Sequence, residues 1–335
     1  MAIVATRWPM SLMPAPLTPL ARPRPRKPRG CEKPLRLVAK AFKSHYWRPG
    51  TDFIKEALRL VGGALKDGDF LIISEKAVST ALGKLVDEAE VEASSLARLL
   101  AYWTRAIWGH VLGPFCKLRP ETLAKLRSYP LEEGASHKQV ALRLKGLLAA
   151  MMWGSEGGID GSNLPFSLVS LPLEPEEAQD IASELAKRVR TELGRAVVAL
   201  IIDSDRTYSL GPLHISPRKT ALRGIIGGLG IVAYVLGNAL RLKGRPTPVA
   251  SSEPSLGPEL ALRIASLAEK AMGHGAGRDV WEMASRFGVG LTEVTWDMLD
   301  SVPHRPVAIV RALKRRVLRH RRLPQWPSRR LVQGA

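Results

Sequence analysis

The chain has 335 residues, 45% of them apolar, and a formal net charge of +19. Such a length and composition support a large buried core and exclude a fibrous or wholly disordered protein. The charge suggests a nucleic-acid binder until its distribution is considered: residues 1–30 and 311–335 hold 15 of the 50 basic residues and no acidic ones, leaving 35 basic against 31 acidic between them.

The first tail, through Arg22-Pro23-Arg24-Pro25-Arg26-Lys27-Pro28-Arg29, alternates proline with charge and predicts a disordered, polyproline-like segment over 1–32. A second basic tail covers 313–335, and both predict weak, salt-sensitive contact with polyanions. Residues 33–312 then form the folded region. Cys31 and Cys116 are the only cysteines, which argues against a disulfide framework or structural zinc and fits a reducing cytoplasm.

Basic and apolar residues alternate over 33–42, which predicts a strand. Arg48-Pro49-Gly50-Thr51-Asp52 predicts a turn into a helix over 52–61, capped by Thr51 or Asp52. Lys66-Asp67-Gly68-Asp69 is a turn, Phe70-Leu71-Ile72-Ile73-Ser74 a buried strand, and 75–84 the loop after it. Helices are expected over 88–109, 119–127 and 137–152, with Trp103 and Trp108 in the core. A strand over 166–171 precedes an amphipathic helix over 174–193, whose first turn carries proline and acids. The apolar run 196–202 predicts a buried strand, with helices following over 221–241, 258–272, 278–287 and 293–300 and a last strand near 306–310. The uncharged stretch 224–240 is too short and too rich in glycine for a membrane span and reads as a buried helix. Strands and helices interleave without a strict βαβ rhythm, so the class is α/β in the mixed, α+β sense.

Motifs narrow the chemistry. No Gly-x-x-x-x-Gly-Lys-Ser/Thr occurs, which excludes a Walker-type phosphate loop. Gly228-Leu229-Gly230-Ile231-Val232-Ala233 matches a dinucleotide fingerprint in form, but with no strand before it helix packing is the better account. Ser216-Pro217-Arg218-Lys219 has the Ser-x-x-Lys spacing of acyl-transfer enzymes without their other motifs, and the seven histidines lack metal-ligand spacing. Two carboxylates remain. Asp160 stands in Gly157-Gly158-Ile159-Asp160-Gly161-Ser162-Asn163, and Asp203 at the end of the 196–202 strand, in Asp203-Ser204-Asp205. Ordinary turn chemistry explains either one alone. Delivered together, carboxylate and hydroxyl oxygens suit a hard divalent cation holding nucleotide phosphates.

Five segments in order resemble one family: Pro49-Gly50-Thr51-Asp52-Phe53, the run from Asp67 through Glu75-Lys76 to Ser79, Gly158-Ile159-Asp160-Gly161-Ser162-Asn163, Asp203-Ser204 and Met272-Gly273-His274-Gly275. Together they are similar to the coenzyme F420-0:L-glutamate ligases over roughly residues 36–312. The resemblance implies an unusual mixed α/β fold forming an intertwined homodimer. It implies addition of L-glutamate to the lactyl carboxylate of coenzyme F420-0, with GTP as co-substrate and Mg²⁺ or Mn²⁺ as cofactor. On this chain it implies metal ligation by Asp160, Asp203 and the hydroxyl of Ser204, where threonine is usual. It implies nucleotide contact by Ser44, His45, Tyr46, Trp47, Asn163, Met272, Gly273, His274 and Gly275. Lys76, Arg206, Arg218 and Arg223 become candidates for phosphate or substrate carboxylate.

Besides Ser204, two positions and one stretch depart from the family pattern. Glu75 replaces a small hydroxyl residue, Thr80 a lysine that meets nucleotide, and Asp205-Arg206-Thr207-Tyr208 an aromatic or glycine-rich stretch. An acid near a triphosphate is unfavourable unless it faces a metal or a base. A related carboxylate–amine ligase with another acceptor, or an RNA- or anion-binding protein on the same fold, are the alternatives.

Overall fold

The computed structural model describes residues 36–313, Ser155 excepted; the two predicted tails lie outside the described residues, apart from Leu313. The chain runs β1 (Arg36–Ser44), α1 (Phe53–Val61), β2 (Phe70–Ser74), α2 (Glu75–Ala81) and β3 (Leu85–Asp87). A helical segment follows: α3 (Ser95–Trp103), continued by a π-helical stretch over Thr104–Leu112, then α4 (Gly113–Phe115), α5 (Pro120–Arg127), α6 (Leu131–Lys145) and α7 (Leu147–Ala150). After it come β4 (Leu168–Ser170), α8 (Pro175–Leu193), β5 (Val198–Leu210), β6 (Leu213–Ile215) and α9 (Ile231–Ala239). The last elements are β7 (Lys243–Ser251), α10 (Pro258–Met272), α11 (Val280–Phe287), α12 (Trp296–Asp300) and β8 (His304–Leu313).

The main sheet has the order β1-β8-β2-β5-β6, with β7 also paired to β5. Only β2 and β5 are parallel; the other pairs are antiparallel. This mixed sheet agrees with the expected class. Period-2 alternation splits the core in two. Leu71, Ile73, Ala199, Ile201, Val307 and Ile309 face α1, α2 and α8, whereas Ile72, Leu200, Ala308 and Val310 face the apolar side of α10. Each sheet face is therefore covered by helix, and the ends of β2 and β5 are held rigidly between the layers.

Several expected elements differ in detail. The predicted loop 75–84 is largely helix α2, six of whose seven residues are buried, so no amphipathic period marks it. The helix expected over 88–109 begins only at Ser95, after a single 3₁₀ turn at Glu88–Glu90, and that over 137–152 is split into α6 and α7 at Gly146, where φ is 81°. The strand over 196–202 runs on to Leu210, past Asp203. The predicted helix 221–241 is confined to Ile231–Ala239, because Gly228 and Gly230 before it adopt φ of 80° and 50°. That finding corrects the helix-packing account of Gly228 and Gly230, which lie in a loop. Strand β7 was not expected; it carries Pro246 and Pro248, which an edge strand tolerates. Among the described residues no helix is long and apolar enough to cross a membrane.

Candidate active site

The parallel pair sets the site. Ser74 is in register with Ile202, so Glu75-Lys76, at the carboxyl end of β2, and Asp203, where the parallel pairing ends and β5 runs on, come side by side at the edge where open α/β sheets bind ligands. The pairing of β5 with β7 slips between Asp203 and Arg206, leaving Ser204 and Asp205 on a bulge. A bulge re-aims side chains without ending the strand, which is how Asp203 is presented from the middle of a continuous element. A cavity of about 630 Å³ opens here, lined among others by Tyr46, Trp47, Lys76, Thr80, Asp160, Ser162, Asn163, Asp203, Ser204, Arg206, Glu269, the Met272–Gly275 segment and His304.

Asp160 sits in a tight loop tied to β4: its N–H donates to the Ser170 carbonyl at 3.3 Å and its own carbonyl accepts from Ser170 N at 3.0 Å. One carboxylate oxygen accepts from Ser162 N at 2.7 Å; the other accepts from the Lys76 ammonium. Lys76 also donates to the Ser162 carbonyl at 2.9 Å and to the Ser162 hydroxyl at 2.7 Å. Asp203 accepts from Ser204 N at 2.7 Å and from Arg218 at 2.6 Å. Each carboxylate thus carries its own cation. Arg218 is 2% exposed and spent on Glu75 and Asp203 rather than offered to a ligand. Burial opposes its charge, but the two acids outweigh this and raise its pKa above the ordinary arginine range. Glu75, the residue that departs from the family pattern, therefore faces a base, which removes the electrostatic objection to an acid at this position.

Other expected residues fall into three groups. Tyr46, Trp47, Asn163, Arg206 and Met272 to Gly275 line the cavity with the two aspartates. Ser44 and His45 are beside them in sequence but do not line it; the Ser44 hydroxyl accepts from the Trp47 indole at 3.2 Å. Arg223 lies on a separate groove with Lys219, Thr220 and Gln179. Asn163 accepts from Ala276 N at 2.6 Å and Tyr46 Oη at 3.3 Å and donates to the Gly277 carbonyl at 2.8 Å. Its amide therefore holds the 275–277 turn against the Asp160 loop, while φ of 60° is tolerated because asparagine enters the left-handed region readily.

A model of the F420-0:gamma-glutamyl ligase family matches residues 42–279. The chain belongs to that family. It is also 34% identical over 284 residues to an uncharacterized protein of Methanocaldococcus jannaschii, covering 81% of this chain and 94% of the relative. Membership carries the reaction class, a ligase of coenzyme F420 biosynthesis.

Within this ligase fold the cavity also gathers groups that the sequence did not single out. Glu269, on the last turns of α10, receives Arg206 at 2.9 Å, and its other oxygen is buried without a hydrogen-bond partner. His304 stacks on Tyr46 with ring centroids 4.2 Å apart. Burial, with His45 nearby, lowers the His304 pKa to about 3, so its imidazole is neutral, and burial pushes the Tyr46 phenol up to about 12. Thr80, where the family has lysine, turns its hydroxyl to the Lys76 carbonyl at 2.8 Å. Glu269 stands three residues before Met272-Gly273-His274-Gly275, which is the one sequence signal that could have found it.

The far wall of the cavity comes from the helical segment. Glu156 is fully buried, receives Lys138, and meets His137 at 2.6 Å, while His137 meets Glu88 at 2.5 Å on its other nitrogen. Burial works against these charges. The opposite charges prevail, holding Glu156 down at about 2 and His137 well above the usual imidazole range.

Proposed function

We propose that the protein is a GTP- and divalent-metal-dependent ligase that joins L-glutamate to the lactyl carboxylate of coenzyme F420-0. The observation that carries this reading is the convergence of Asp160, Asp203 and Ser204 on one cavity within the ligase family. Among the described residues no group of three or more His, Cys, Asp or Glu side chains forms a metal cage. The oxygen set nonetheless fits Mg²⁺ or Mn²⁺, which commonly take one or two carboxylates and complete their shell with substrate phosphates and water. Asp160, Asp203 and the Ser204 hydroxyl would hold the ion, which when bound neutralises charge on the β- and γ-phosphates.

The chain's own residues supply positioning. Lys76, already set against Asp160, and Arg206, on the rim with Glu269, are the cations that face the phosphates. The γ-phosphoryl group passes to the acceptor carboxylate with GDP leaving, and the glutamate amine then attacks the acyl carbon and expels phosphate. No nucleophilic side chain is required. Tyr46, Trp47 and the Met272–Gly275 segment supply the nucleotide contacts. We take the working unit to be a homodimer in the cytoplasm: Leu210, Leu213, Val232, Leu236 and Leu240 of the β5–β6 turn and the α9 region are exposed apolar side chains suited to a partner copy.

Purified protein given coenzyme F420-0, glutamate, GTP and Mn²⁺ should release GDP and yield a coenzyme heavier by one or more glutamyl units, read by mass spectrometry. GTP turnover without glutamyl product would move the reading to another acceptor. Neither turnover nor product from a folded protein would favour an anion-binding role on the same fold.

A further inference from the structure

We infer that Arg218, held by Glu75, is a positioning residue that fixes the Asp203 carboxylate and the Asp160 loop against each other. The use of those two carboxylates rests on the ligase reading; the positioning itself does not. The parallel register brings Glu75 and Asp203 out side by side, and two carboxylates that close repel strongly away from water. Arg218 removes the repulsion by lying between them. Its Nη1 donates to Asp203 Oδ2 at 2.6 Å and to Glu75 Oε2, and its Nη2 donates to Glu75 Oε1 at 2.6 Å. Glu75 is itself fixed, since Oε1 also accepts from Leu173 N at 2.8 Å.

The same guanidinium reaches the other carboxylate's loop. At Gly158, two residues before Asp160, a Cβ would come within 2.9 Å of Arg218 Nη1 and 2.7 Å of Pro172 Cβ, so glycine is needed for the loop to lie against the arginine. The backbone that carries Arg218 is anchored as well: Gly230 N donates to the Pro217 carbonyl at 2.9 Å and Leu229 N to that of Ser216 at 3.2 Å. Arg218 is absent from the cavity lining, so it acts on a ligand only through Asp203 and the loop it supports. Two parallel bonds to Glu75 together with one to Asp203 require the planar fork of arginine; a lysine ammonium cannot make all three.

The test compares the full chain with Arg218→Lys and with the double variant Glu75→Leu/Arg218→Met, which removes Arg218 together with its most buried partner and leaves Asp203 with Ser204 N. Hydrogen–deuterium exchange is followed without ligands, Mn²⁺ binding through the electron paramagnetic resonance of the ion, and folding by thermal melting. The double variant should melt cooperatively but below the parent, since Asp203 loses its cation, exchange faster over residues 157–163 and 203–206 alone, and bind Mn²⁺ about 10–100-fold more weakly, the usual effect of losing a group that orients a ligand. Arg218→Lys should fall between the two. Parent-like exchange in both segments, with Mn²⁺ affinity unchanged, overturns the inference. Should the double variant not fold, Arg218→Lys decides by the same two readouts. A parent chain that binds no Mn²⁺ sinks the ligase reading, while the exchange data still decide the positioning role.

Discussion

Two buried ion clusters border the Asp160 loop, and they differ in chemistry. On the sheet side Arg218 joins Glu75 to Asp203 and leans on Gly158; on the helical side Glu156, just before Gly157 in sequence, is held by Lys138 and His137. A guanidinium keeps its charge at any pH at which a protein stays folded, whereas an imidazolium does not. Arg218 therefore stays charged throughout, and the sheet-side cluster weakens only as pH falls towards the Glu75 pKa, which burial raises against the pull of Arg218; the helical wall also weakens as pH rises. The contrast teaches that one loop can be bordered by a clamp that holds as pH rises and by one that does not, each testable without the other.

The largest effect should come from the carboxylates that the clamps present. Asp160→Asn and Asp203→Asn each keep size and remove a ligand charge, so GTP affinity measured calorimetrically with Mn²⁺ should fall by more than the roughly 10–100-fold that loss of a supporting group costs. Folding should respond less. Asp203→Asn leaves Arg218 with Glu75, and Asp160→Asn leaves Lys76 with the Ser162 carbonyl and hydroxyl. Near-normal GTP affinity in both variants would return the two aspartates to turn chemistry.

Next in size is the helical cluster itself. Glu156→Gln strands Lys138, which is 0% exposed, and His137 without a carboxylate between them, so urea denaturation should show a loss of about 3–5 kcal/mol, the range for breaking one side of a buried ion pair. The double variant Glu156→Gln/Lys138→Met should recover much of it. A loss below about 1 kcal/mol in the single variant would mean that the cluster is wet and the wall is held by its apolar contacts instead.

How far the sequence revealed this arrangement depends on whether the signal was local. The β2 and β5 runs, the amphipathic helices α8 and α10, and the Asp160 loop follow from periodicity and glycine chemistry, and the structure does bring Asp160, Asp203, Asn163 and the Met272–Gly275 segment to one cavity. Ser204 and Asp205 were legible as residues but not as a bulge, since a bulge depends on the partner strand β7, whose two prolines conceal it. Arg218, followed by Lys219 in a Ser-Pro loop, reads as a candidate for phosphate or substrate carboxylate, because its actual partner Glu75 lies 143 residues away. Glu75 looked like a misplaced acid for the same reason. His137 on α6 and Glu156 in the loop after α7 are 19 residues apart, with nothing in either neighbourhood to mark a pair.

The smallest effect, and the one that separates the two clamps most directly, is the pH dependence of stability. The folded pKa of His137 lies well above its ordinary 6.5 because Glu156 and Glu88 outweigh its burial, so its contribution is fully present below about 6.5 and lost as pH rises through the folded value. Glu156 behaves oppositely: held at about 2 against an ordinary 4.5, it contributes above 4.5 and is lost as pH falls towards 2. The cluster is therefore at full strength between about pH 4.5 and 6.5. Lys138 is the remaining charged group in contact with Glu156. Urea denaturation of the parent from pH 6 to 9 should show stability declining as pH rises, by at most about 1.4 kcal/mol per pH unit for the one proton involved. In His137→Gln, which keeps hydrogen bonding but cannot titrate, that decline should vanish. Equal slopes in the two proteins would place the pH dependence outside this cluster, and the two clamps would then be alike.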